Sequence, residues 1–87
     1  MTAEIRDEPI GFKPPLLRLA EEVASIHNIS VKDLRGRKRR HKLPRWEFMA
    51  RAYDTGRYSY PQLGRWLDGR DHSCVIYGVR QYRELAG

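Results

Sequence analysis

Apolar side chains recur at helical spacing along most of this chain, and no segment alternates apolar and polar residues as a half-buried strand does. Leu16, Leu19, Ala20, Val23, Ala24 and Ile26 fall three and four residues apart, which predicts one buried stripe on an amphipathic helix from Leu16 to His27. Pro15 suits the first turn of that helix, where its missing N–H is not needed, and Asn28 suits the C-terminal cap. Ser30-Val31-Lys32-Asp33 reads as a capping box opening a short second helix that ends by Gly36. A third helix is predicted from about Pro44 to Thr55, with Trp46, Met49, Ala50 and Tyr53 toward a core and Gly56 stopping it in the left-handed conformation. Ser59-Tyr60-Pro61-Gln62 starts a fourth: Ser59 caps, Pro61 sits in the first turn, and Gln62 returns a hydrogen bond to the cap. Leu63, Trp66 and Leu67 give it a buried side. A fifth is predicted from about Asp71 to Leu85, burying Val75, Val79, Tyr82 and Ala86.

With no internal repeat and no low-complexity segment, the pattern predicts an all-α domain of five helices over residues 16–87, behind a polar tail over residues 1–15. The last two helices meet across a tight Asp68-Gly69 turn, and the second of them opens on Asp71, His72 and Ser73. A short helix, a turn and a polar-nosed helix are the layout of a helix-turn-helix, whose second helix reads base edges in the major groove of DNA.

Charge supports that layout. The net charge of +6 is concentrated: residues 1–34 hold four Lys/Arg and six Asp/Glu, whereas residues 35–87 hold thirteen and five. The tract from Arg35 to Arg45 carries seven basic residues and no acidic one. Like charges this close repel unless an anion lies among them, and a nucleic-acid backbone is the usual one; a solvated loop or a membrane-surface patch is the other reading of the tract alone. Double-stranded DNA is favoured over RNA because a recognition helix does not enter the narrow A-form major groove. An interaction or decoy protein that binds an acidic partner, or nucleic acid without sequence preference, is the alternative class, and dependence on DNA sequence discriminates the two.

Other chemistry finds little support. His27, His41, His72 and Cys74 match no metal-ligand spacing. Cys74 and His72 on one helix would diverge by about 200° around its axis, so they do not form a nucleophile–base pair. No Gly-x-x-x-x-Gly-Lys-Ser/Thr phosphate loop occurs, and neither enzyme activity nor a cofactor is expected. The aromatic residues lie at helical spacing and read as core, not as a stacking platform for single strands. A single cysteine excludes an intramolecular disulfide; with no signal-peptide pattern and no apolar run near ~18 residues, the expected compartment is the cytoplasm, on the nucleoid, with no membrane contact.

Gly69-Arg70-Asp71-His72-Ser73-Cys74-Val75 resembles the Gly-Arg-Asp-His-Thr-Thr-Val signature of the C-terminal DNA-binding domain of the bacterial replication initiator DnaA. The resemblance covers roughly residues 16–86. It implies that Asp71, His72, Ser73 and Cys74 read bases. It also implies that the loop of Arg37, Lys38, Arg39 and Arg40 enters the minor groove or grips its phosphates. Arg39 is the match for the minor-groove arginine, with Arg37 or Arg40 as alternates because this loop is about two residues shorter. Arg45, Ser59, Tyr60, Pro61 and Arg70 would lie on the DNA backbone, with Arg80 helping. Leu63-Gly64 matches the family's Ile-Gly, where a side chain would obstruct helix packing. Ser73 and Cys74 depart from the family's two threonines: Ser73 lacks the methyl that contacts a thymine methyl, and a thiol is the poorer hydrogen-bonding group. Without an ATPase module, the expected role is a standalone regulator of transcription or replication initiation that acts at a DnaA-box-like site.

Overall fold

In the computed structural model of the protein, residues 15–86 are described. The tail expected over residues 1–15 lies outside them, save for Pro15. Five α-helices are present: α1 (Pro15–Ile26), α2 (Val31–Arg35), α3 (Lys42–Asp54), α4 (Tyr60–Trp66) and α5 (His72–Ala86). A 3₁₀ turn, Arg39–His41, joins α2 to α3, and there is no strand among the described residues. The all-α fold expected from the periodicity is the one observed.

The local signals act as expected. Ser30 caps α2 and Ser59 caps α4, and each forms the full capping box, with Asp33 and Gln62 returning the bond. Within the first box, hydrogen bonds from the Ser30 side chain and backbone hold the Asp33 carboxyl below its usual pKa. Asn28 and Gly56 take positive φ after α1 and α3. Between α4 and α5 two consecutive residues, Asp68 (φ 64°) and Gly69 (φ 73°), turn left-handed and reverse the chain. That turn folds back over Gly64: the Arg70 N–H donates to the Gly64 carbonyl at 2.8 Å, and a Cβ on Gly64 would collide with the Arg70 carbonyl. The glycine expected to permit close packing therefore permits the helix-turn-helix corner itself.

The hydrophobic core joins Leu16, Ala20 and Val23 of α1, Leu34 of α2, Phe48, Met49 and Ala52 of α3, Leu63 and Leu67 beside α4, and Val75 and Val79 of α5. Helix α3 packs against every other helix, most extensively α5. Its buried face is Arg45, Phe48, Met49 and Ala52, at i, i+3, i+4 and i+7, together with Pro44 and Ala50. This corrects the expected stripe: Trp46 and Tyr53 lie half-buried at its margins. Two further expectations fail. Ile26 is 61% exposed, because it lies roughly 100° round α1 from the centre of the buried stripe. Ala86 is exposed although it continues the line of Val75, Val79 and Tyr82. Arg83 already pairs with Asp54, the last residue of α3, at 2.6 Å, so Ala86 overhangs the end of the helix it would pack on.

Candidate nucleic-acid interface

The first turn of α5 presents Asp71, His72, Ser73 and Cys74, all exposed. Asp71 precedes the helix proper, and its backbone carbonyl accepts from the Cys74 N–H at 3.0 Å. Its carboxylate Oδ1 lies 3.2 Å from His72 Nδ1. With Nδ1 beside that carboxylate, Nε2 is the ring nitrogen left for another partner. At 100° per residue, His72, Ser73, Ile76, Tyr77 and Arg80 share one outward face of α5 while Val75, Gly78 and Val79 line the opposite, buried one. Cys74 lies at the edge of the outward face. It lines a groove of about 290 Å³ with Arg45, Trp46, Met49, Arg70, Ser73 and Tyr77.

Tyr77, 56% exposed, and Ile76 stand on this outward face, although reading the sequence assigned them no role. The signal that finds them is the i+4 spacing from His72 and Ser73. The Tyr77 ring is held edge-on against Trp46, with centroids 5.9 Å apart, and Lys42 sits over the other ring of that pair at 5.4 Å.

The basic tract divides into two kinds of residue. Lys38, Arg39 and Arg40 are exposed, and their side chains form no hydrogen bond or ion pair among the described residues. The arginines on either side of them are engaged with backbone carbonyls. Arg35 Nε donates to the Trp66 carbonyl at 2.9 Å, with its guanidinium 4.4 Å from the centroid of the Trp66 ring. Arg37 donates to the Asp68 carbonyl at 3.0 Å, and Arg70 donates to the carbonyls of Gly36 and Leu67.

Sequence reasoning puts Arg45 on the DNA backbone; the structure places it beneath the loop. Arg45 is only 5% exposed, and its guanidinium donates to the carbonyls of Leu34 (2.8 Å), Asp33 (3.2 Å) and Lys38 (3.3 Å). Burial, with Arg70 and Arg37 nearby, lowers its pKa to about 10, so it remains cationic at neutral pH. Arg70 is half-buried, and its pKa is lowered for the same reasons, burial first and Arg37 second.

At the start of α4, Ser59 accepts the Gln62 N–H on its hydroxyl oxygen, and its own N–H donates to Gln62 Oε1 at 2.7 Å. The Ser59 hydroxyl proton has no acceptor among the described residues. Pro61 is exposed. Tyr60 stacks on Tyr53 with ring centroids 4.1 Å apart and planes 5° from parallel; its phenol pKa is raised by desolvation and then by the hydrogen bond to Tyr53. Arg80 is exposed on the outward face of α5. No group of three or more His, Cys, Asp or Glu among the described residues is placed to hold a metal ion, and no helix there is long and apolar enough to cross a membrane.

Residues 18–81 match the family model described as the bacterial dnaA protein helix-turn-helix. Two curated relatives, the chromosomal replication initiator protein DnaA of two Cereibacter sphaeroides strains (ATCC 17029 and ATCC 17023), are each 35% identical to the chain over 75 residues. Those matches cover 84% of this chain and 16% of each relative, so the chain spans about a sixth of their length. No solved structure matches the chain significantly. The matched residues run from α1 through the free cations of the loop and the Asp68-Gly69 turn into α5, and the chain belongs to the helix-turn-helix family that forms the C-terminal, DNA-binding part of bacterial DnaA proteins.

Proposed function

We propose that this domain binds double-stranded DNA sequence-specifically at a DnaA-box-like site, with α5 in the major groove and the loop of Lys38, Arg39 and Arg40 at the adjacent minor groove or its phosphates. The observation that carries this reading is the direct bonding of the basic loop to the turn ahead of α5, through Arg37 to Asp68 and Arg70 to Gly36. It sets three free cations beside a polar, exposed helix start, so backbone attraction and base readout act from one surface. Asp71, His72 and Ser73 would read base edges, with Cys74 at the margin and Ile76 and Tyr77 offering apolar surface to thymine methyls. The Ser59 hydroxyl, Tyr60 and Pro61 at the start of α4, with Arg80, would fix register on the backbone. By occupying such a site on the nucleoid the domain would act as a regulator of replication initiation or transcription.

Salt dependence tests the electrostatic half of this reading. Affinity for duplex DNA plotted against salt on logarithmic axes should fall with a slope of roughly −4 to −7, the value for about five to eight phosphate contacts. Replacing Lys38, Arg39 and Arg40 together by alanine should flatten that slope by about 3, near 0.9 per lost contact, on target and random duplexes alike. A salt-independent affinity contradicts the reading.

A further inference from the structure

Two arginines join the basic loop to the helix-turn-helix corner in reciprocal fashion. Arg37, on the loop, donates to the Asp68 carbonyl in the turn; Arg70, just past the turn, donates to the Gly36 carbonyl in the loop. Each strand of the seam thus sends one guanidinium to the other's backbone. The Arg37 guanidinium also lies 3.8 Å from the Asp68 carboxylate. These contacts cross 31 and 34 residues of sequence, and they add to the hold of Arg45 from below and of Arg35 at the start of the loop.

The arrangement works against electrostatics. Arg37, Arg45 and Arg70 are close enough that Arg70 and Arg37 depress Arg45, and Arg37 depresses Arg70. Holding three cations there is unfavourable in the free protein, and a polyanion brought to the loop relieves it. Among the described residues only one carboxylate, that of Asp68, meets this seam. The seam is therefore suited to a protein that meets DNA from both sides of the corner at once.

We propose that Arg37 and Arg70 are positioning residues that lock the basic loop to the corner ahead of α5, so that Lys38, Arg39 and Arg40 engage the DNA in fixed register with His72 and Ser73. This rests on the duplex-binding reading above. It assigns Arg70 to the protein's own backbone instead of a DNA phosphate. Its consequence is coupling: the loop cations contribute fully only while the lock is closed.

A double-mutant cycle reads that coupling. The probe is the tightest duplex recovered by selection from a random-sequence pool, and binding is measured for Arg70→Gln alone, Arg39→Ala with Arg40→Ala, and all three together. Arg70→Gln alone is expected to weaken binding about tenfold to a hundredfold, inside the range of coupling within one hydrogen-bonded network. In the Arg39→Ala, Arg40→Ala background the same change should weaken it less than about threefold. Arg70→Lys, which keeps the charge but not the fork of donors, should behave like Arg70→Gln. Additive losses, or full rescue by Arg70→Lys, overturn the proposal and make Arg70 an independent phosphate contact. Should Arg70→Gln unfold the domain, Arg37→Gln at the exposed end of the seam runs the same cycle. A wild-type protein that recovers no duplex overturns the function reading and this proposal with it. A wild type that binds its duplex with additive variants overturns only the lock.

Discussion

Replacing Arg45 by alanine is expected to destabilise the domain by about 2–5 kcal/mol, because three backbone carbonyls lose a charged donor at once and each such bond contributes about 1.5–3 kcal/mol before desolvation is subtracted. The loss is large against the roughly 5–15 kcal/mol that holds a small domain together. Arg45 sits at 5% exposure under the segment that links α2 to α3, and it bonds Asp33, Leu34 and Lys38 from one guanidinium. No other residue type spans three carbonyls from one planar group, so Arg45→Lys should recover only part of the loss. Urea unfolding of the three proteins measures this directly. A loss for Arg45→Ala under about 0.5 kcal/mol, the ordinary size of a surface change, together with a salt slope flattened by about 1, would return Arg45 to the DNA backbone.

His72→Ala is expected to cost about 1–3 kcal/mol of binding free energy on the preferred duplex, the value of one good base contact, and far less on random DNA. The ring is exposed, stands on the outward face of α5, and has Nδ1 3.2 Å from the Asp71 carboxylate. A neutral imidazole offers one acceptor nitrogen, which fits the amino group of adenine or cytosine. Folding stability should hardly change, since the side chain supports no core residue. Competition titrations against the preferred and a scrambled duplex separate the two affinities. Equal losses on both would show that His72 touches the backbone and that specificity lies elsewhere on α5, with Ile76 and Tyr77 the next residues in line.

Much of the fold is legible in the chain because its signals are local. Capping boxes at Ser30 and Ser59 and stops at Asn28 and Gly56 depend on a few neighbouring residues, and the structure forms each of them. The failures arise where a distant element decides the outcome. Phe48 and Ala52 are buried in place of Trp46 and Tyr53 because α3 is covered by several helices at once, so a single stripe misjudges its face. Ala86 keeps the right phase but outruns its partner helix. The arginines are the instructive case. By type and charge Arg35, Arg37, Arg45 and Arg70 are indistinguishable from Arg39 and Arg40, yet four of the six bond to backbone carbonyls. Such side-chain-to-carbonyl bonds leave no periodicity and no charge pairing in a sequence, so charge density alone overcounts the cations available to DNA.

The central claim is that the exposed start of α5 reads a base sequence while the loop beside it grips the backbone. Selection of binding sites from random duplex DNA at one fixed salt concentration tests this most directly, with the corresponding C-terminal domain of Cereibacter sphaeroides DnaA selected in parallel. The account predicts a discrete motif overlapping that of the DnaA domain, with weaker preference at the base pair facing Ser73, where the thymine-contacting methyl of a threonine is missing. Recovery of no motif, with random duplexes bound as tightly as selected ones, would contradict it.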